Sequence, residues 1–302
     1  MGMKKNSVLL GFLIGSIFIL IFFGISVLML SVLPESSAKS LLSGGSIGVI
    51  EINSVITESQ PMLEQIKKYR EDKSIKAILV RIDSPGGGVG PAQEIYSELL
   101  KTRTAKPIVA SLGGTAASGG YYIACAANTI VANPGTLTGS IGAIMEFMNV
   151  QGLYQWAGVS NEVIKSGQHK DMGSWARNLT NDEKKLLQGV VDDVLTQFVQ
   201  AISDGRKIPA DEIVPLADGR IFTGEQALNL GLVDKIGNFN DAVDTAAEMG
   251  HITGKPTLVR MKEKKLDMLD LFLDNVGGRF QGRLEQFLQK HGSTGFLKLN
   301  YR

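Results

Sequence analysis

A single cysteine, Cys125, stands in a chain of 302 residues, so no intrachain disulfide can form. Its setting in the run YYIACAAN is that of a buried structural thiol. There are only three histidines, His169, His251 and His291, and they form no cluster with zinc-ligand spacing. No metal or other cofactor is expected. An excess of charge of one sign is also lacking: 31 basic against 30 acidic side chains leave a net charge of +1, without the basic patch that nucleic acid requires. The short run Lys262 to Lys265 includes a glutamate and reads as a solvated face. With 44% hydrophobic and 20% charged residues, the chain is neither disordered nor polytopic.

One long stretch has no ionisable residue at all. Residues 8–33 span roughly 39 Å as a helix, more than the roughly 30 Å of bilayer hydrocarbon. Lys4 and Lys5 precede it, and the positive-inside rule keeps that end cytoplasmic. The expectation over residues 1–33 is a cytoplasmic N-terminus followed by an N-terminal transmembrane helix acting as a signal anchor, its apolar span at 8–33. It predicts a single-pass cell-membrane protein with an extracytoplasmic body. A Ser/Gly-rich tether follows over 34–46.

Beyond the tether, apolar runs at 47–52, 77–82 and 107–112 read as strands, separated by helical patterns over 61–70 and 91–102. This alternation marks an α/β fold built of βα units around a covered sheet. A buried helix over 121–127, a strand over 129–132, a turn with extended chain over 135–144, a short helix over 147–157 and a strand over 161–165 are expected next. Thr180 to Glu183 forms a capping box opening a helix to about residue 203, with Leu186, Leu187, Val190, Val194 and Phe198 along one side. Helices over 223–231 and 240–249 close the main domain, placed at 47–250. The remainder, 251–302, reads as a strand and amphipathic helical extension.

Two glycine-rich segments frame the candidate chemistry. Asp83-Ser84-Pro85-Gly86-Gly87-Gly88 ends a strand, where consecutive glycines let the backbone turn and present N–H groups to an anion. It also serves as an ordinary strand-to-helix turn. Ser118 follows a strand and a glycine turn and is succeeded by Gly119-Gly120. There it is either an exposed nucleophile beside free N–H groups or simply a helix cap. Its surroundings are not GxSxG, so the α/β-hydrolase signature is absent. A serine nucleophile needs a base. Lys170 can serve if desolvation leaves its amine neutral, and otherwise is a solvated surface lysine; its neighbour His169 is the only credible histidine rival.

The segments DSPGGG at 83–88, ASGGYY at 117–122, TGSIG at 138–142, SGQHKD at 166–171 and GRIFTGEQALNLGLVDKIG at 219–237 together resemble the signal peptide peptidase A family, in its short form with one protease domain. That family's domain is similar to the Clp protease and crotonase-like fold. The resemblance implies a Ser-Lys endopeptidase with Ser118 as nucleophile, Lys170 as general base and Ser140 orienting the lysine. It places the oxyanion donors at Gly119 and the Gly86-Gly87 turn. It further implies remnant signal peptides or other extended apolar peptides as substrates, a membrane setting, and a homo-oligomer with enclosed sites. The competing readings are a membrane protease with one specific protein substrate, a crotonase-type acyl-CoA enzyme, and a noncatalytic membrane scaffold.

Overall fold

A computed structural model describes residues 22–23 and 45–261. Its elements in chain order begin with β1 (Ser46–Asn53), α1 (Gln60–Glu71), β2 (Ile75–Ser84), α2 (Val89–Arg103), β3 (Ile108–Ala117) and α3 (Gly119–Ala124). Next come β4 (Thr129–Ala132), β5 (Leu137–Gly139), α4 (Gln151–Trp156), α5 (Asn181–Arg206) and α6 (Ala210–Ile213). After a 3-10 turn follow β6 (Ile221–Thr223), α7 (Gly224–Asn229), β7 (Lys235–Ile236), α8 (Phe239–Met249) and β8 (Thr257–Arg260).

The strands form one sheet in the order β6-β5-β3-β2-β1-β8, parallel except for the β5-β6 pair. Both faces are covered, which is why the central strands read as nearly continuous apolar runs. Along β2, Ile78, Val80 and Ile82 enter one hydrophobic cluster, while Ala77 and Leu79 enter the other. The period of two assigns alternate residues to opposite faces. The larger cluster includes side chains of α1, α2, α3 and α5; the smaller one is closed by Ala242, Val243, Ala246 and Ala247 of α8.

β3 is the strand on which the site depends. Its first half pairs with β4, through Val109 to Leu112, and its second half pairs with β5, through Thr115 to Ala117. The same edge thus serves two partners in succession, and the chain leaves β3 and β5 at the same level. Asp83 helps to hold this divergence, because its Oδ1 accepts the Thr115 N–H at 3.0 Å. A Cβ on Gly113 would come within 2.7 Å of the Asp83 carboxyl carbon, so the close approach requires glycine there.

The α/β architecture and its βα units are present, but the membrane expectations require correction. Among the described residues no helix is long and apolar enough to cross a membrane. The longest, α5, has 26 residues, but it carries Asp182, Glu183, Lys184, Lys185, Asp192, Asp193, Asp204 and Arg206, and charges along its length oppose burial in hydrocarbon. The run at 8–33 lies outside the described residues except for Phe22 and Phe23, as does the helical extension expected after residue 265. The transmembrane signal anchor, the membrane as partner and the single-pass cell-membrane localisation are accordingly withdrawn. The strand expected over 161–165 is also absent: that stretch is irregular and exposed, with no neighbouring strand to satisfy its backbone.

Candidate active site

Ser118 sits at the junction of β3 and α3 with φ 51° and ψ −122°, a conformation rare for any residue with a side chain. Its N–H donates to Gly139 O at 2.8 Å and its carbonyl accepts from Tyr122 N at 2.9 Å, so the sharp turn is held on both sides. The alternative role of helix cap does not apply, because the Ser118 side chain makes no capping hydrogen bond. Strain of this kind, maintained by surrounding bonds, is characteristic of functional positions.

The register of β3 and β5 brings Ser140 alongside. Ala117 pairs with Gly139, so Ser118 and Ser140 are the next residues out of two parallel strands. Ser140 also has a positive φ, 48°, and its N–H donates to Arg220 O at 2.8 Å.

The DSPGGG turn packs directly against Ser118. A Cβ on Gly86 would lie 2.8 Å from both the Ser118 Cβ and the Gly119 nitrogen, so any side chain there would strike the candidate nucleophile. The turn is fixed by a bridge to Ile56. Ile56 N donates to Gly86 O at 2.9 Å, and Gly88 N donates to Ile56 O at 2.8 Å. The Gly86 N–H donates to Ser84 Oγ at 3.1 Å. Consequently the Gly86 N–H is engaged, whereas those of Gly87 and Gly119 have no acceptor among the described residues. Gly119 opens α3, where first-turn donors lack helical partners. The Gly87 nitrogen lies 3.4 Å from where a Gly119 Cβ would stand, so the two residues pack closely.

Beside Ser118 is a small cavity of about 30 Å³, walled by Val89, Ala92, Tyr122, Val194 and Phe198. The Tyr122 ring packs against Tyr96 and Phe198 at centroid distances of 4.8 and 5.0 Å, giving the wall a rigid aromatic base. Sequence reasoning placed Val194 and Phe198 on the apolar face of a helix without connecting them to the site. It missed Ile56 altogether, since a backbone bridge leaves no side-chain signal. Cys125 is buried, and burial pushes its thiol up to about 12, so it is no nucleophile at neutral pH.

Lys170 and His169 are not among the residues lining this cavity. Both are exposed in a turn, in which Lys170 N donates to Gly167 O at 3.1 Å. The surrounding segment also exposes Ile144, Met148, Trp156, Ile164 and Trp175, and the first half of α5 exposes Leu186 and Val190.

Comparison with known proteins gives this geometry its family. The profile of peptidase family S49 matches residues 101–253, and that of Clp protease matches residues 40–135. A protein of Synechocystis sp. named as a protease is 42% identical over 243 residues, covering 76% of this chain and 87% of its own length. One from Enterococcus faecium named as a signal peptide peptidase is 34% identical over 264 residues, covering 83% and 76%. A chloroplastic serine protease of Arabidopsis thaliana is 33% identical over 247 residues, covering 80% of this chain and 36% of its own. By these matches the chain belongs to peptidase family S49, a family of serine proteases, and is a proteolytic enzyme.

Proposed function

We propose that the protein is a Ser-Lys endopeptidase acting on extended apolar peptides, with signal peptides as the substrate class. The observation that carries this reading is the uncapped Ser118 side chain, held at φ 51° beside the unpaired N–H groups of Gly87 and Gly119. Ser118 Oγ attacks the scissile carbonyl carbon while the neutral Lys170 amine takes the hydroxyl proton. The Gly87 and Gly119 N–H groups receive the oxyanion. The resulting Lys170 ammonium gives its proton to the departing amine, and water then hydrolyses the acyl-enzyme by the same route. Ser140, next in register, supplies the hydroxyl that orients the amine.

A lysine acts as a base only through its neutral amine, which desolvation favours. The apolar side chains displayed on the same segment support closure of the site by a second copy of the chain. Introducing charge with Trp156→Asp or Ile164→Asp is expected to lower oligomer mass and activity together. Retained activity in a monomeric variant, measured by light scattering alongside turnover, would rule out that route. A crotonase-type acyl-CoA reaction needs an oxyanion hole too, but it gives no role to the Ser118 hydroxyl.

The narrow cavity favours a small side chain at the residue whose carbonyl is attacked. Val194→Ala opens one wall and is expected to raise kcat/KM for leucine over alanine at that position by about 10-fold. For the substrate class, quenched fluorescent peptides of equal length should be compared. One has a signal-peptide-like apolar core; the other has that core replaced by Ser and Gln. Cleavage of the apolar peptide at a much higher kcat/KM supports the reading, and equal rates contradict it.

A further inference from the structure

The turn carrying Lys170 lies outside the cavity and is heavily cross-linked by polar side chains. From one side Lys165 Nζ donates to Gln168 O at 2.9 Å and to Asp171 Oδ1 at 2.6 Å. From the other, Arg177 donates through Nε to Asp171 Oδ2 at 2.9 Å and through Nη2 to Oδ1 at 2.8 Å and to the Asp171 carbonyl at 3.3 Å. The same guanidinium grips Glu183 with Nη2 to Oε1 at 2.6 Å and Nη1 to Oε2 at 2.8 Å. Glu183 is 2% exposed and also accepts the Thr180 N–H at 2.8 Å, completing the capping box of α5. Two-pronged contacts on both carboxylates suit a planar guanidinium and do not suit an ammonium.

One arginine therefore ties the Lys170 turn to the start of the helix whose later residues Val194 and Phe198 wall the cavity. It has an electrostatic consequence as well. Asp171 adjoins Lys170 in sequence and would be its natural ion-pair partner, yet both carboxylate oxygens are taken by Arg177 and Lys165. Arg177, then Lys165, holds the Asp171 carboxyl below the usual carboxylate range. Arg177, then the Thr180 N–H, holds Glu183 down to about 2. The Lys170 amine has no hydrogen bond or ion pair among the described residues.

We infer that Arg177 is a positioning residue for Lys170, anchoring its turn to α5 and occupying Asp171 so that this carboxylate does not pair with the amine. The inference rests on Lys170 being the base. A lysine base works only when neutral, and an unengaged carboxylate beside it favours the ammonium. The charged and titratable groups surrounding the turn are Lys165, His169 and Asp171 within it, Arg177 and Glu183 across from it, and Glu146, which shares a groove with Asp171.

The test is kcat and KM against pH, on the full chain with the apolar peptide, for wild type, Arg177→Gln, Asp171→Asn, the double variant and Lys170→Ala. Thermal melts run in parallel. Arg177→Gln frees Oδ2 of Asp171, while Oδ1 still accepts from Lys165. It is expected to lower kcat at least about 10-fold, leave KM within about twofold, and move the ascending limb up by about one pH unit. The double variant removes that carboxylate, and its limb returns to or below the wild-type position. Asp171→Asn alone keeps the Arg177–Glu183 pair and tests the inference even if Arg177→Gln does not fold; its kcat falls while its limb moves down. A merely structural role would change melting temperature and kcat at every pH without these opposed shifts. Limbs unmoved in Asp171→Asn and in every folded Arg177 variant, with Lys170→Ala inactive, overturn the role of Arg177 and leave the base intact. Full activity in Lys170→Ala overturns both.

Discussion

Ser118→Ala and Lys170→Ala are each expected to lower kcat by at least about 10³-fold, with little change in melting temperature, and combining them should cost little more than either alone. Groups that act as one unit show this non-additivity, because removing either abolishes the same step. Ser118 is held by backbone bonds to Gly139 and Tyr122, and its side chain caps nothing, so alanine leaves those bonds in place. Lys170 is exposed and its side chain makes no hydrogen bond or ion pair among the described residues, so its loss should leave the fold intact. His169→Ala should retain most activity if the lysine is the base. The measurement is steady-state hydrolysis of the apolar peptide by variants matched in oligomeric state. A Lys170→Ala enzyme within tenfold of wild type would disprove the lysine's role.

Gly87→Ala should be nearly as damaging, for a different reason. Its Cβ would stand 2.2 Å from Ile56 O and 2.6 Å from Ile56 N, both backbone atoms that cannot swing aside. The bridge that fixes the turn must open, and the Gly87 N–H moves away from the oxyanion. Loss of one such donor costs about 10²- to 10³-fold in kcat, and the broken bridge should lower the melting temperature as well. Gly90→Ala is the matched control. It lies in α2 with nothing outside its own helix backbone and chain neighbours within 4 Å of its added methyl, and it should be neutral or slightly stabilising. Normal kcat in a folded Gly87→Ala protein would remove the turn from the oxyanion site.

The βαβαβ front of the fold was legible because both faces of its strands are buried and its helices have clear apolar stripes. β1, α1, β2 and α2 lie within about two residues of where the sequence places them. β3 continues five residues beyond its expected end, through Gly113 and Gly114, because the Asp83 clamp and the β5 pairing extend a segment that reads locally as a turn. β6 and β7 have three and two residues, too short for any periodicity to declare. Asn161 to Lys165 fails in the opposite sense: its β-branched pair Val163-Ile164 imitates a strand, but Ile164 faces solvent and the segment pairs with no strand among the described residues.

The site was partly legible. The glycine runs identify where the backbone presents donors, and the alanine and glycine neighbours of Ser118 identify where a hydroxyl is accessible. Which donors are free is decided by Ser84, inside the glycine motif itself, and by Ile56, whose bridge follows from tertiary packing and has no motif. The Arg177 bracket around Lys170 was equally hidden, although the Thr180–Glu183 capping box to which it is fastened was visible in the sequence. The long apolar run at 8–33 led to a membrane anchor that no described helix supports.

The most direct test of the central claim is the rate at which a fluorophosphonate labels the full chain near neutral pH, with the modified residue located by mass spectrometry. The account predicts a single adduct on Ser118, none on Ser118→Ala, near-normal labelling of His169→Ala, and labelling slowed at least about 10²-fold in Lys170→Ala. Labelling elsewhere, or slowed by loss of His169 and untouched by loss of Lys170, would contradict it.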